Sequence, residues 1–172
     1  IDCDQVYHEL LLGNDQLRGE LIERFGREIF SDEGLDRKKL GELVFHDQDA
    51  MADLNRITHK YVEVETDRQI RDARAAGMPG AAVDAILLLE GDLGKRCDVT
   101  VGILAPVEDR VRRLIAREGI TESYARIAAQ KSDDFYRQNC TFILENNGAQ
   151  ETYARAARDL FQKILNGGIQ HE

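Results

Sequence analysis

Apolar residues recur every three or four positions through the first half of the chain, a spacing that places them on one face of a helix. In the clearest case Leu17, Leu21 and Phe25 share such a face, and Gly26 follows as a helix-ending residue. Ser31 to Gly34 has the composition of a turn. The pattern predicts three helices, over 16–26, 35–45 and 49–76.

The pattern changes in the second half of the chain. Ala81 to Leu89 is an apolar run broken only by Asp84, Val99 to Ala105 is another, and neither has helical periodicity. Such runs are typical of strands in a parallel sheet covered on both faces, where Asp84 would be a buried acid. A third strand is predicted over Thr141 to Leu144. Helices are predicted over 107–117, from Thr121 onward and over 150–165. This alternation favours an α/β fold.

The chain begins with Ile1-Asp2-Cys3-Asp4, which is typical of the end of a buried strand. Residues two apart on a strand point to the same side, so Asp2 and Asp4 would share one site there. The alternative is an acidic surface turn. Because no start of this strand is visible, we expect a segment upstream of Ile1.

Composition narrows the classes of function. The chain has 172 residues, 42% of them hydrophobic, and a net charge of −9, which disfavours non-specific nucleic-acid binding. Its three cysteines are scattered without a paired or zinc-binding spacing, which predicts reduced thiols and a cytoplasmic protein. No apolar run reaches the roughly 20 residues that cross a bilayer.

Arginines cluster on one predicted helix and continue onto the next. Arg110, Arg113 and Arg117 recur at helical spacing, and Arg126 follows. The planar guanidinium suits phosphate, so this set is a candidate triphosphate site; the alternative is a solvated basic face. No G-x-x-x-x-G-K-[ST] phosphate loop is present, since 91–95 has too short a gap.

Several short stretches follow one another in a characteristic order. They are Ile1–Asp4 with Tyr7–Leu11, Gly34–Gly41 with Val44-Phe45, Leu54–His59, Asp84–Glu90, Cys97–Val101, Arg113–Thr121, Arg126–Gln130 and Ile143–Gly148. None is specific alone, but the series resembles the dephospho-coenzyme A kinase family over nearly the whole chain. The resemblance implies a three-layer αβα parallel sheet of the P-loop nucleoside-monophosphate-kinase type, with a helical substrate-binding insertion and a lid. It implies a nucleotide-binding core over 1–15 and 77–172, a coenzyme A-binding insertion over 16–76 and a lid over about 113–138.

The implied reaction moves the γ-phosphoryl group of ATP to the ribose 3′-hydroxyl of dephospho-coenzyme A, with Mg²⁺ and without a metal site built from protein ligands. The implied partners are these two small molecules, with no nucleic acid or membrane, and the protein would be a monomer or weak homo-oligomer. Two alternatives stay open. One is a degenerate relative that binds without turnover, and the other is a different small-molecule or nucleotide kinase on the same scaffold.

The resemblance also implies roles for individual residues. Asp4 matches the general base, and Arg117 matches the arginine on the transferring phosphate. On the nucleotide side the matching residues are Arg113, Arg126, Asn146, Asn147 and Gly148. On the acceptor side they are Asp2, His8, Arg37, His59, Leu87 and Glu90. The stretch that holds Arg126 is a residue or two shorter than the family's lid. The family's phosphate loop is absent, and we expect it upstream of Ile1.

Overall fold

The structure is a computed structural model of the 172-residue chain, and it describes residues 1–32, 34–118, 127–128 and 130–167. The chain forms two compact units, an N-terminal unit over Ile1–Leu88 and a C-terminal unit over Leu89–Glu172. None of the helices in these described ranges is long and apolar enough to cross a membrane. The predicted division into a core and a 16–76 insertion stays a prediction.

The N-terminal unit is mainly helical. Its helices are α1 Cys3–Gly13, α2 Asp15–Phe25, α3 Arg37–Val44 and α4 Gln48–Ala75. A 3-10 turn over Arg27–Ile29 and a hairpin of β1 (Phe30–Ser31) with β2 (Gly34–Leu35) connect α2 to α3. The three predicted helices are therefore present within two residues at each end. Gly26 ends α2 at a φ of 88°, a conformation that glycine adopts without steric cost.

Each of the four helices begins at an Asp or Asn whose side chain accepts hydrogen bonds from backbone amides of the first turn. The capping residues are Asp2, Asn14, Asp36 and Asp47. Such a cap satisfies donors that have no partner within the helix, and it contributes about 1 kcal/mol. The starts of these helices are thus encoded locally, one side chain for each helix.

The core of the N-terminal unit lies where α1, α2 and α3 pack against α4. Leu17, Leu21 and Ile29 are fully buried at its centre. Ion pairs flank the α2–α4 contact: Arg24 Nε lies 2.6 Å from Asp53 Oδ2, and Lys60 Nζ lies 2.7 Å from Glu20 Oε1. The long helix α4 is therefore the support on which α1 and α3 are placed.

The predicted strand at the start of the chain ends earlier than the sequence indicates. Asp2 is extended and forms an isolated parallel bridge with Asp84, in which Asp84 N donates to Ile1 O at 2.8 Å and Cys3 N donates to Asp84 O at 2.9 Å. The chain then turns into α1 at Cys3. The prediction that Asp2 and Asp4 share one face of a strand is therefore wrong, since only Asp2 is extended.

The predicted strand over 81–89 is wrong, because the segment forms only a single parallel bridge, at Asp84. Residues 86–90 form turns, Ile86 is 70% exposed, and Asp84 itself is exposed rather than buried. A strand continues only as long as its backbone groups find partners. Here the partner segment turns into α1 directly after Asp2, so only the one bridge between Asp2 and Asp84 forms.

The C-terminal unit contains a parallel strand pair among helices. Its elements are α5 Asp92–Lys95, β3 Val101–Leu104, α6 Val107–Glu118, α7 Asp133–Asn139, β4 Phe142–Glu145 and α8 Gln150–Leu165. β3 pairs with β4 in register from Val101 opposite Phe142 to Leu104 opposite Glu145. The predicted strands over 99–105 and 141–144 and helices over 107–117 and 150–165 are present. The sequence did not predict α7. Of the helix predicted from Thr121 onward, only Ile127 and Ala128 lie within the described residues, and both are helical.

Candidate active site

An open pocket of about 340 Å³ lies among α1, β2, α3 and α4 in the N-terminal unit. Its walls are Asp4, Tyr7 and His8 of α1, Leu35 of β2, Arg37, Leu40, Gly41 and Val44 of α3, and Leu54 of α4. The α1 residues are spaced i, i+3 and i+4, and the α3 residues i, i+3, i+4 and i+7. Both sets therefore lie on one helical face, and the two faces are turned toward the same cavity.

The pocket combines charged groups with apolar walls. Leu40 and Val44 are buried, and Leu35 and Leu54 are half-buried against the same core. Asp4, by contrast, is exposed to solvent. A ligand that fits this lining has both an apolar portion and anionic or hydroxyl groups.

Arg37 and His8 form a hydrogen bond across the pocket between α3 and α1. A guanidinium only donates, so His8 Nε2 is the acceptor of this hydrogen bond. Arg37 is exposed and has further N–H groups beyond the one that contacts His8. The pair therefore fixes the direction of a guanidinium that can still bind two oxygens of an anion.

Tyr7 lies between the polar and apolar parts of the lining. Burial raises the pKa of the Tyr7 phenol, and the nearby Arg37 charge opposes that rise. Its ring is 6.1 Å from the His8 ring, measured between centroids, with a tilted arrangement. Tyr7 is thus a neutral, half-buried wall beside the Arg37–His8 pair.

Asp4 is held in the first turn of α1 by its neighbour Asp2. Asp2 Oδ1 accepts from Asp4 N at 2.9 Å and from Gln5 N at 3.1 Å. The carboxylate of Asp4 consequently lies at the positive end of the helix dipole, where negative charge is favoured. Asp2 is the cap that places Asp4, which is a different relation from the side-by-side pair on a strand that the spacing indicated.

The remaining residues predicted on the acceptor side are not in this pocket lining. His59 is half-buried on α4, and Leu87, 40% exposed, lies in the turn after the Asp84 bridge. Glu90 belongs to the C-terminal unit, where its Oε2 lies 3.9 Å from Lys131 Nζ. The structure thus brings together Asp4, His8 and Arg37, with Asp2 behind Asp4.

Among the residues predicted on the nucleotide side, Arg113 of α6 contacts the loop after β4. Its Nη2 donates to Asn146 O at 3.3 Å and to Asn146 Oδ1 at 3.2 Å, while Asn146 N donates to Leu104 O at 2.7 Å. Asn147 and Gly148 follow in the same loop and are exposed. The loop lies at the carboxyl end of a parallel strand, where ligands bind in α/β sheets.

The other arginines of the cluster divide by environment. Arg110 is largely buried, and its guanidinium donates to Gln130 Oε1 at 3.0 Å and Asp133 Oδ1 at 3.1 Å. Arg117 is exposed in the last turn of α6, and Arg126 lies outside the described residues. The cluster is therefore not one uniform basic face, and Arg110 is a structural tie between α6 and the start of α7.

Sequence reasoning missed most of the pocket walls. The missed residues are Tyr7, Leu35, Leu40, Gly41, Val44 and Leu54. Their apolar stripe on 35–45 was visible, but a stripe that lines a cavity has the same periodicity as one that packs in a core. One signal in the sequence could have indicated a pocket wall: Arg37 falls on the same helical face as this stripe, which places a cation on an otherwise apolar face.

Comparison with known families gives one result over most of the chain. The family model described as CoaE, dephospho-CoA kinase, matches residues 1–152. The dephospho-CoA kinase of Corynebacterium glutamicum is 34% identical over 169 residues, which cover 96% of this chain and 84% of that protein. The dephospho-CoA kinase of Latilactobacillus sakei is 33% identical over 168 residues, with 96% and 83% covered.

Two solved structures resemble the fold. TT1252 from Thermus thermophilus superposes with a TM-score of 0.70 at 28% identity, covering 95% of this chain and 83% of its own. The dephospho-CoA kinase from Campylobacter jejuni superposes with a TM-score of 0.68, covering 98% and 86%, and at 20% identity it bears on the fold alone. These likenesses confirm the predicted α/β class of the P-loop kinase type. With the family model matching residues 1–152 and a relative that is 34% identical over 96% of the chain, the chain belongs to the dephospho-CoA kinase family.

Proposed function

We propose that this chain transfers the γ-phosphoryl group of ATP to the ribose 3′-hydroxyl of dephospho-CoA, which completes coenzyme A. The observation that carries the proposal is the pocket in which the Asp4 carboxylate, the Arg37–His8 pair and four aliphatic walls line one cavity. Dephospho-CoA offers matching chemistry: a hydroxyl to be deprotonated, a pyrophosphate, and a long arm with a dimethyl-substituted segment.

Asp4 takes the proton of the attacking hydroxyl in this proposal. A carboxylate is a weak base, but in a loose phosphoryl-transfer transition state the proton leaves late, so that orientation matters more than basicity. The cap from Asp2 fixes the turn that carries Asp4. Asp2 is therefore a positioning residue.

Arg37 binds the pyrophosphate of the acceptor, and His8 orients its guanidinium. The planar fork of arginine matches two phosphate oxygens at once, which a lysine cannot reproduce. The arm then lies along Leu35, Leu40, Val44 and Leu54, where burial of its methyl groups is favourable. His59, Leu87 and Glu90 stay predicted acceptor contacts.

The roles on the nucleotide side rest on the resemblance. Arg117 neutralises charge that develops on the transferring phosphoryl group, with Arg126 assisting. The loop from Asn146 to Gly148 lies against the adenine, and Arg113 acts on the nucleotide through that loop. The proposal includes a cytoplasmic protein that works as a monomer or weak homo-oligomer.

Magnesium enters this reaction with ATP. Within the described ranges, no cluster of three or more acidic, histidine or cysteine side chains could hold a metal ion. Mg²⁺ on a nucleotide needs only one or two protein carboxylates, because phosphate oxygens and water complete its octahedron. The bound ion would neutralise charge on the phosphates, with ATP and water supplying most of its ligands.

An acceptor panel tests the proposal. ATP consumption is measured with dephospho-CoA, adenosine and nucleoside monophosphates, and mass spectrometry locates the new phosphate on the product. We expect the highest kcat/KM with dephospho-CoA and a phosphate on the 3′-oxygen. A preference for nucleoside monophosphates would indicate a different kinase on this scaffold. Tight binding of dephospho-CoA without turnover would indicate a degenerate relative.

A further inference from the structure

Gly41 stands in the interior of α3, and nothing in the described structure requires a glycine there. Glycine is the least favourable helix-interior residue after proline, because its backbone loses the most freedom on folding. Its φ is not positive, unlike that of Gly26 or Gly34. A Cβ built on Gly41 meets no described atom within 4 Å. Neither backbone conformation nor close packing therefore accounts for this residue.

What Gly41 does contact is the pocket. It lines the cavity between Leu40 and Val44, on the face of α3 that also carries Arg37. Every other α3 residue on that face projects a side chain, and Gly41 alone adds only backbone. Since a Cβ at this position meets open space, a larger side chain would occupy volume that the cavity now leaves to a ligand.

We propose that Gly41 is a specificity-determining residue, which keeps the room in the pocket for the apolar arm of the acceptor. This inference rests on the proposed function, and it adds the residue that selects for an acceptor with a bulky arm. Gly41 stands on the face of α3 between Arg37 one turn before it and Val44 one turn after it, with Leu40 beside it, so the space over Gly41 suits the methyl-bearing arm that continues from a pyrophosphate on Arg37.

The chain supplies a matched control. Gly19 lies in the interior of α2, also has no positive φ, and a Cβ built on it also meets no described atom within 4 Å. It is not among the residues that line the pocket. Substitution at Gly19 therefore reproduces the change in helix propensity without changing the pocket.

The test compares the wild type with Gly41→Ala, Gly41→Leu, Gly19→Ala and Gly19→Leu. KM and kcat for dephospho-CoA are measured at saturating ATP, together with the inhibition constant of adenosine 5′-monophosphate as a competitor that lacks the arm. Forcing extra atoms into a fitted site weakens binding about fivefold or more, so we expect Gly41→Leu to raise KM at least that much. Gly41→Ala should give a smaller rise. We expect kcat of the Gly41 variants to stay unchanged, because a clash with the arm weakens binding of the ground state and of the transition state equally.

The two Gly19 variants should leave KM unchanged, and all four variants should melt at or above the wild-type temperature. In Gly41→Leu the inhibition constant of adenosine 5′-monophosphate should stay within about twofold of the wild-type value, because this competitor has no arm to meet the new side chain.

Three results would overturn the inference while leaving the proposed function intact. They are an unchanged KM in Gly41→Leu, an equal loss of affinity for adenosine 5′-monophosphate, and a lowered melting temperature in Gly41→Ala, which would reveal a structural need for glycine. Calorimetry with dephospho-CoA distinguishes failure of the proposed function from failure of the inference about Gly41. If the wild type does not bind dephospho-CoA, the proposed function is wrong and the inference is wrong with it. If it binds and Gly41→Leu binds equally well, only the inference is wrong.

Discussion

Replacement of Asp2 separates its capping role from a role in binding substrate or metal. Asp2 Oδ1 accepts from two amides of the first turn of α1, at 2.9 and 3.1 Å. Asp2→Ala removes both hydrogen bonds, and loss of such a cap costs about 0.5–2 kcal/mol. Asp2→Asn keeps an acceptor oxygen in the same place and loses only the charge. We therefore expect the asparagine variant to stay within about 0.5 kcal/mol of the wild type, because Asn and Asp are nearly equal caps.

Thermal unfolding and steady-state kinetics on the same variants give the answer. For a chain of this size, 1 kcal/mol shifts Tm by about 2–4 °C, so Asp2→Ala should melt up to several degrees lower. It should also lose turnover, because the turn that carries Asp4 frays. Asp2→Asn should keep both Tm and kcat. Asp47→Ala is the control, since Asp47 caps α4 through the same two-amide pattern and lies outside the pocket lining.

The decisive result is the kinetic behaviour of the asparagine variant. If Asp2→Asn keeps the wild-type Tm and loses as much turnover as Asp2→Ala, the carboxylate charge acts on substrate or metal, and the capping argument for its role in catalysis is wrong. A Tm of Asp2→Ala equal to that of the wild type would refute the structural part of the reasoning.

Three further changes test the site and the fold. Asp4→Asn should lower kcat by about 10²–10⁴-fold, as expected for loss of a general base, while calorimetry finds nearly unchanged binding of dephospho-CoA; unchanged turnover would remove Asp4 from its role. Arg113→Ala should raise KM for ATP about 3–10-fold, the value of one or two lost hydrogen bonds. Arg112, which pairs with Asp109 within α6, is the control, and Arg112→Ala should leave KM unchanged. Equal effects of the two substitutions would argue against a role of Arg113 through the loop. Gly102→Ala should destabilise the protein by about 1–3 kcal/mol, because its Cβ would lie 2.8 Å from Ile143 Cδ1; urea unfolding of the double variant with Ile143→Val should recover part of that loss, and simple additivity would contradict the proposed clash.

The helices that the sequence predicted well are those whose ends carry local signals. The long α4 was predicted over 49–76 and runs over Gln48–Ala75, and α2 ends at Gly26 as predicted. Apolar stripes, capping side chains and a terminal glycine all act over a few residues. A single sequence therefore contains the whole signal for such elements.

Helix α1 was missed although its start carries such a signal. Asp2 with Gln5 three residues later has the spacing of a capping box, and Val6 and Leu11 supply buried positions further along. The apolar-acidic start of the chain suggested a strand, but only Asp2 forms a bridge there, with Asp84. Where extended chain turns directly into a helix, the two-residue period of a strand and the 3.6-residue period of a helix overlap within a few residues. The capping residue then indicates the start of the helix better than the apolar pattern does.

The pocket could not be predicted, because it depends on how helices distant in sequence pack together. Arg37 and His8 are 29 residues apart, and their contact exists because α1 and α3 both pack against α4. The family resemblance implied that both residues bind the acceptor, but it did not predict that they contact each other. Residues such as Leu54 gave no sign that distinguishes a cavity wall from a core contact.

The register of α1 links the end of the strand to the chemistry of the pocket. Cys3 and Val6 are buried, whereas Asp4, Tyr7 and His8 line the cavity, so the helix presents two different faces to two different environments. Consecutive residues on a helix are 100° apart, and a shift of one residue in the start of α1 would turn the cavity-lining face toward the core. The Asp2–Asp84 bridge and the Asp2 cap fix that start at Cys3. The Asp2–Asp84 bridge therefore determines the position of the Asp4 carboxylate, which ties the proposed general base to the backbone pairing of the fold.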